Sequence, residues 1–170
     1  GLESYNQRVL DSMKKGVELS WVDETADRCI KLGIAMHFYL ICGFPTETRE
    51  EVMDSINFIL DNQRLLDSPG FSAILSQFDL ERGAPIEKNP AEWGIKNLYT
   101  PPEHDLSLGY SYETTIGMNS EEITELYQQL IEKLGREVMT FPHNYSLSDG
   151  LLYLAHHQHN SLTERLGALA

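Results

Sequence analysis

Apolar and polar positions follow two different rhythms along this chain, and each change of rhythm marks an element. Between Gln7 and Lys15, Val9, Leu10 and Met13 fall on one helical face, and Gly16 can take the left-handed conformation that ends a helix. Ser20 offers an N-cap for a second helix carrying Val22, Ala26, Cys29 and Ile30 at helical spacing, with Lys31 near its end and Gly33 after it. The run from Ile34 to Cys42 is apolar at nearly every position, which predicts a strand buried on both faces of a parallel sheet. Gly43-Phe44-Pro45 breaks it. Thr48 and Glu51 form a capping box opening a third helix, with Val52, Ile56, Ile59 and Leu60 inward. Asp67 to Gly70 reads as a turn, and Phe71 to Phe78 as another strand. This order predicts βαβ units and a parallel sheet.

The rhythm fails after Glu81. Pro85, Pro90, Pro101 and Pro102 punctuate a stretch with little periodicity that runs to about Gly117. Asn119 and Glu122 then cap an amphipathic helix with Ile123, Leu126, Leu130, Leu134 and Val138 inward and a solvated acidic face. The expected organisation has three parts: an α/β region at 1–84, an irregular Pro-rich segment at 85–118, and a mostly helical C-terminal extension at 119–170.

Composition narrows the function classes. A chain of 170 residues, 41% hydrophobic, suits one domain with at most an appendage. A net charge of −13 argues against non-specific nucleic-acid binding. No apolar run reaches the roughly 18 residues that a membrane-spanning helix needs. With no charged-then-apolar leader and only two cysteines, a cytoplasmic location is expected.

Two segments stand where strands should end: Gly1-Leu2-Glu3-Ser4, and Leu40 through Thr48. Ligands gather at the carboxyl ends of parallel strands, because helix N-termini and loop donors converge there. A carboxylate at Glu3 could accept two ribose hydroxyls, and Gly43 would let a flat ring approach the backbone. Each feature also has a plain reading, Gly-Phe-Pro as loop punctuation and Glu3 as a helix N-terminal partner.

Taken in order, the segments form a longer pattern. Gly1-Leu-Glu-Ser4, then Arg8-Val-Leu10 with Met13, Lys15 and Gly16, then Gly33-Ile34 before an apolar strand, and Gly43-Phe-Pro-x-Glu-Thr48 resemble the radical S-adenosylmethionine (radical SAM) superfamily. The resemblance covers roughly residues 1–85. It is nearest to the cobalamin-binding radical SAM proteins and the tRNA methylthiotransferases, and extends to oxygen-independent coproporphyrinogen oxidase. It implies an α/β fold: the C-terminal half of a partial (β/α)6 barrel with parallel strands, βα units four to six; the helical extension that follows is expected, from its position alone, to cover the open side of the barrel and shape the substrate site. It implies that Glu3 contacts the ribose of S-adenosylmethionine and that Lys15 pairs with its methionine carboxylate. Ser4 is a further candidate at the same strand end, and Gly43, Phe44 and Pro45 would line the adenine. The parent enzyme is expected to use a 4Fe-4S cluster, with cobalamin in the cobalamin-binding branch. It would cleave S-adenosylmethionine reductively and abstract a substrate hydrogen atom through a 5′-deoxyadenosyl radical. The family's Cys-x-x-x-Cys-x-x-Cys loop has no match here; Cys29 and Cys42 read as buried cysteines. The cluster loop is expected upstream of Gly1, and this piece is expected to be inactive alone. Coproporphyrinogen oxidases carry an Asp four residues before the turn glycine, where this chain has Tyr39.

The remaining candidates are open between two roles each. His37 and Tyr39, two residues apart, either face a small-molecule or peptide substrate or lie in the core. Arg82 either reaches the cofactor or lies on the surface. His156, His157 and His159, with His143 nearby in sequence, read as a solvated tail rather than a metal site. The competing function is a non-catalytic α/β module that binds a protein or peptide. A third reading, an unrelated α/β domain, would require the order of elements to fail. An unpaired edge at the first strand predicts self-association.

Overall fold

A computed structural model describes residues 1–100 and 109–137. Asn6 opens α1 (Gln7–Ser12) by accepting a hydrogen bond from the Val9 N–H at 3.3 Å. The next helix, α2 (Leu19–Leu32), begins before Ser20: the Gln7 Oε1 accepts from the Leu19 N–H at 3.1 Å, so its cap comes from a distant side chain. It ends in a Schellman motif, with the Gly33 N–H on the Ile30 carbonyl and the Ile34 N–H on the Cys29 carbonyl. That closure uses the Ile34 N–H, so β1 (His37–Cys42) starts three residues after the apolar run does, and Ile34 is half exposed. The capping box is present at α3 (Arg49–Leu60). A single turn, α4 (Gln63–Leu66), leads to β2 (Ser72–Gln77).

The pairing of β1 with β2 is parallel, from His37 opposite Ser72 to Cys42 opposite Gln77. Glu3 adds one parallel bridge beyond β1: its N–H donates to the Tyr39 carbonyl at 2.7 Å and its carbonyl accepts from the Ile41 N–H at 2.8 Å. Three successive passages therefore run side by side, joined by helices, in a mixed α/β arrangement that closes no barrel among the described residues. One face of the sheet, with Leu40, Cys42, Ala73 and Leu75, is buried against α2, α3 and the last helix. The other carries Tyr39, Ile41, Ile74 and Ser76, and Tyr39 is 53% exposed.

Residues 85–100 and 109–118 depart from the expected irregular segment. Two 3-10 turns (Pro85–Lys88 and Pro90–Trp93) each start on a proline, whose missing N–H has no intrahelical partner to lose there. An antiparallel sheet contains β3 (Leu80–Glu81), β4 (Ile95–Tyr99) and β5 (Gly109–Thr114), in the order β3-β5-β4. A register shift between Lys96 and Tyr99, with Asn97 at φ 50°, disrupts the alternation that would have marked β4 in the sequence.

The last described helix, α5 (Ser120–Glu137), is part of the core rather than of an extension. Ile123, Leu126, Leu130 and Leu134 join one hydrophobic cluster with Val52, Ile56 and Leu75, and α5 lies in the same compact unit as the strands. The histidine cluster lies outside the described residues. Because α5 completes the core, Leu126→Ala should lower the stability of the whole unit by about 2–5 kcal/mol. Denaturant unfolding followed by circular dichroism and tryptophan fluorescence should remain one transition. A tryptophan transition that does not move would mark α5 as independent.

Candidate functional site

The strand exits after Glu3, Cys42 and Gln77 lie on one edge of the parallel sheet, and most of the residues singled out in the sequence gather there. Glu3 sits at φ 67°, a left-handed conformation uncommon for a residue with a side chain. Lys15 Nζ lies 3.1 Å from its Oε1, so the two charged candidates meet and partner each other. The pair is part-exposed, with the lysine side chain 44% accessible, so as a salt bridge alone it contributes at most about 1 kcal/mol. Ser4 is wholly buried, its Oγ 3.3 Å from the Ser55 Oγ of α3, and its hydroxyl is used inside the fold.

The turn after β1 is built around Glu47. Gly43 takes φ 87°, and a Cβ there would lie 2.5 Å from the Ile123 side chain. The close approach that glycine permits is therefore that of α5. Glu47 is 1% exposed, and its Oε2 accepts hydrogen bonds from the N–H groups of Gly43 (2.8 Å) and Phe44 (3.1 Å). Its Oε1 is buried and has no hydrogen-bond partner among the described residues. Burial pushes the carboxyl up to about 7, against the two backbone donors that favour its charged form. Arg8 grips Glu51 with two bonds of 2.5 Å and also donates to the Thr46 Oγ1 and carbonyl. Glu51 is held below the usual carboxylate range, chiefly by Arg8. Arg8 and Glu47 stand in the sequence pattern, but their roles depend on burial and on distant partners that spacing does not reveal.

Phe44 points from this turn into a second apolar cluster with Val9, Leu80, Ile86 and Ile95. Its ring meets Phe78 edge-on at 5.2 Å and Trp93 edge-on at 5.6 Å. These three rings, with Met13, Ala84 and Ile86, line a mainly apolar cavity of about 380 Å³ at the exits of β1 and β2. Pro45 is buried beside it in sequence. A flat heteroaromatic ring suits a cavity of this size and lining. Phe78 and Trp93 were not among the residues picked out by motif.

His37 lies at the opposite end. It is the first residue of β1, with its Nδ1 2.6 Å from the Ser72 Oγ and its ring edge-on to Tyr39 at 4.5 Å. Burial lowers its pKa, favouring the neutral imidazole. The strand separates it from Gly43 by roughly 20 Å, at about 3.3 Å per residue. Tyr39, midway along, faces the open side of the sheet. Arg82 donates to the Thr100 Oγ1 and stacks over Tyr110, 5.1 Å from the ring centroid.

The residues present do not suit a 4Fe-4S cluster. Cys42 is fully buried in β1, and burial with the nearby Glu47 pushes its thiol up to about 12, away from the thiolate a cluster needs. Cys29 lies in α2, and no group of three or more potential metal ligands occurs among the described residues. No protein-family model, curated protein or solved structure matches the chain.

Glu47 gives this edge a measurable pH dependence. Its folded pKa of about 7 lies above its ordinary value of 4.5, so its contribution to stability is fully present below 4.5 and is lost as pH rises through 7. The difference amounts to about 3 kcal/mol. Glu47→Gln retains an acceptor for the two N–H groups and cannot ionise. The stability difference between wild type and variant, from denaturant midpoints at pH 5 and pH 8, should shift toward the variant at pH 8. An unchanged difference would mean that Glu47 titrates normally.

Proposed function

We propose that this chain is a portion of a radical SAM enzyme, and that its part is to bind S-adenosylmethionine at the carboxyl edge of the parallel strands. The observation that carries this reading is the aromatic cavity under the Gly43-Phe44-Pro45 turn, at the edge where α/β sheets hold ligands. The parallel order of Glu3, β1 and β2 supports half of a partial barrel, with the face bearing Tyr39 as its inner side. The adenine would sit among Phe44, Phe78 and Trp93. Glu3 would accept the ribose hydroxyls, and Lys15 would release Glu3 to meet the methionine carboxylate. The cofactor, once bound, supplies radical chemistry only with a cluster, and the cysteines of this chain do not suit one. The chain's own work is then to orient the cofactor and to keep water from its adenosyl end. Tyr39 is the better candidate for substrate contact, since His37 lies at the far end of β1 and is bonded to Ser72.

Trp93 supplies the test. In a Trp21→Phe background, titration with S-adenosylmethionine should quench the remaining tryptophan saturably. Phe44→Leu should weaken binding about threefold to tenfold, the scale of one aromatic contact. Glu3→Gln should weaken it roughly tenfold or more, as for hydrogen bonds to a charged group. No quenching at millimolar cofactor would overturn the reading.

A protein-binding module is the second reading, and a specific groove favours it. Trp21, 56% exposed, lines an apolar groove of about 320 Å³ with Val22, Met36 and Phe38, beside the side of the Glu3 segment that has no strand partner among the described residues. Such an edge recruits another strand. Sedimentation equilibrium should show concentration-dependent self-association that Trp21→Glu reduces; a monomer at all concentrations would remove this reading.

A further inference from the structure

A second cavity, of about 360 Å³, opens where β2 leaves the parallel sheet for the antiparallel one. Its lining differs in kind from that of the aromatic cavity: Gln77, Asp79, Tyr99, Tyr110, Tyr112 and Glu113 contribute, and no lysine or arginine does. The Asp79 carboxylate makes no hydrogen bond or ion pair among the described residues, and neither does the Tyr112 hydroxyl. Burial and the nearby Asp79 push that phenol up to about 12. Gly109 makes room for the carboxylate, since a Cβ there would lie 2.9 Å from the Asp79 Oδ1. Tyr110 already carries a cation, the Arg82 guanidinium, over its ring, and donates its own hydroxyl to Glu87 at 2.7 Å. Glu113 is partly neutralised by Lys96 at 3.3 Å, which leaves Asp79 as the uncompensated charge.

We propose that this cavity binds an ammonium group on a short alkyl chain, either a lysine side chain or a free alkylamine. Phenol rings present negative faces that attract such a cation, and their carbon frames pack against the alkyl part. A carboxylate without a partner supplies the opposite charge and accepts the ammonium hydrogens. An anion would meet two carboxylates, Asp79 and Glu113, and no cationic side chain in the lining. A bare metal ion is a poorer fit, because no group of three ligating side chains occurs among the described residues and the space far exceeds an ion's volume. Amine binding here does not rest on the cofactor reading, although Phe78 and Asp79 line both cavities.

The test titrates the 15N-labelled chain with three probes: Nα-acetyl-lysine N-methylamide, 1,5-diaminopentane, and the uncharged isostere Nα-acetyl-norleucine N-methylamide. The two amines should shift the amide signals of Asp79 and residues 109–113 saturably, and the norleucine compound should not. Tighter binding of the lysine derivative would identify a peptide source, and tighter binding of the diamine a free amine. Asp79→Asn should weaken amine binding roughly tenfold, the scale of a charge-assisted hydrogen bond. Tyr99→Ala should weaken it a further few-fold, as for one cation–π contact. Asp79 is exposed and bonds to nothing described, so the fold should survive its substitution, and circular dichroism checks this. Equal shifts from the norleucine compound, unchanged affinity in Asp79→Asn, or no shifts from either amine at tens of millimolar would each overturn the proposal.

Discussion

One buried carboxyl group governs the carboxyl edge of this sheet. Glu47 gathers the N–H groups of Gly43 and Phe44 on a single oxygen, and its carbonyl accepts the Met118 N–H at 3.0 Å. The chain between is strained at Thr46: Gly43 takes its positive φ without steric cost, but for a β-branched residue such as Thr46 a positive φ is a true outlier. Such a conformation costs on the order of 1–3 kcal/mol and persists only where its surroundings over-determine it. Here they do. Arg8 bonds to both the side chain and the carbonyl of Thr46, and Ile123 fills the space that a side chain at position 43 would need.

The same residues tie elements that are distant in sequence. Arg8 reaches from α1 to Glu51, and Glu51 also closes the capping box of α3. The isolated ion pair would matter little at the surface. Sharing one carboxylate between a helix cap and a two-pronged guanidinium makes it a geometric constraint, because the Arg8 orientation that grips Glu51 also serves Thr46. Two acidic side chains, Glu47 and Glu51, therefore stand close to the turn in unequal states. The buried one is pushed toward neutrality, and the one beside Arg8 is held charged.

What the sequence made legible is what local rules decide. The Gly33 stop, the Thr48–Glu51 box and the alternation of helix and parallel strand all follow from neighbours a few residues apart. The start of β1 is not legible, because the Schellman closure uses the N–H of Ile34, a residue whose side chain reads as strand. The antiparallel strand β4 is hidden in the sequence because a register shift at Asn97 breaks its period of two. The amphipathic face of α5 was plain, but periodicity names the buried face and not the element it packs on, so its place against β2 and α3 was not. At the site, the sequence points to Gly43 as a place where a flat ring could approach, whereas the group packed against it is Ile123, 80 positions away. Glu47 stood within the quoted pattern, and nothing local distinguishes a carboxylate buried on two backbone donors from one at the surface.

The two cavities at this edge share a wall, and that wall depends on the turn. Phe78 lines both, and its ring is held edge-on by Phe44. Phe44 in turn is fixed by its N–H on Glu47 and by the positive φ of the glycine before it. Any change that frees the Glu47 carboxyl therefore acts first on Phe44, next on Phe78, and through Phe78 on an apolar cavity and a polar one together. The apolar side would lose a ring contact, and the polar side would lose one of its walls while keeping the exposed Asp79. A single buried acid can therefore set the shape of both cavities through Phe44 and Phe78 without lining either.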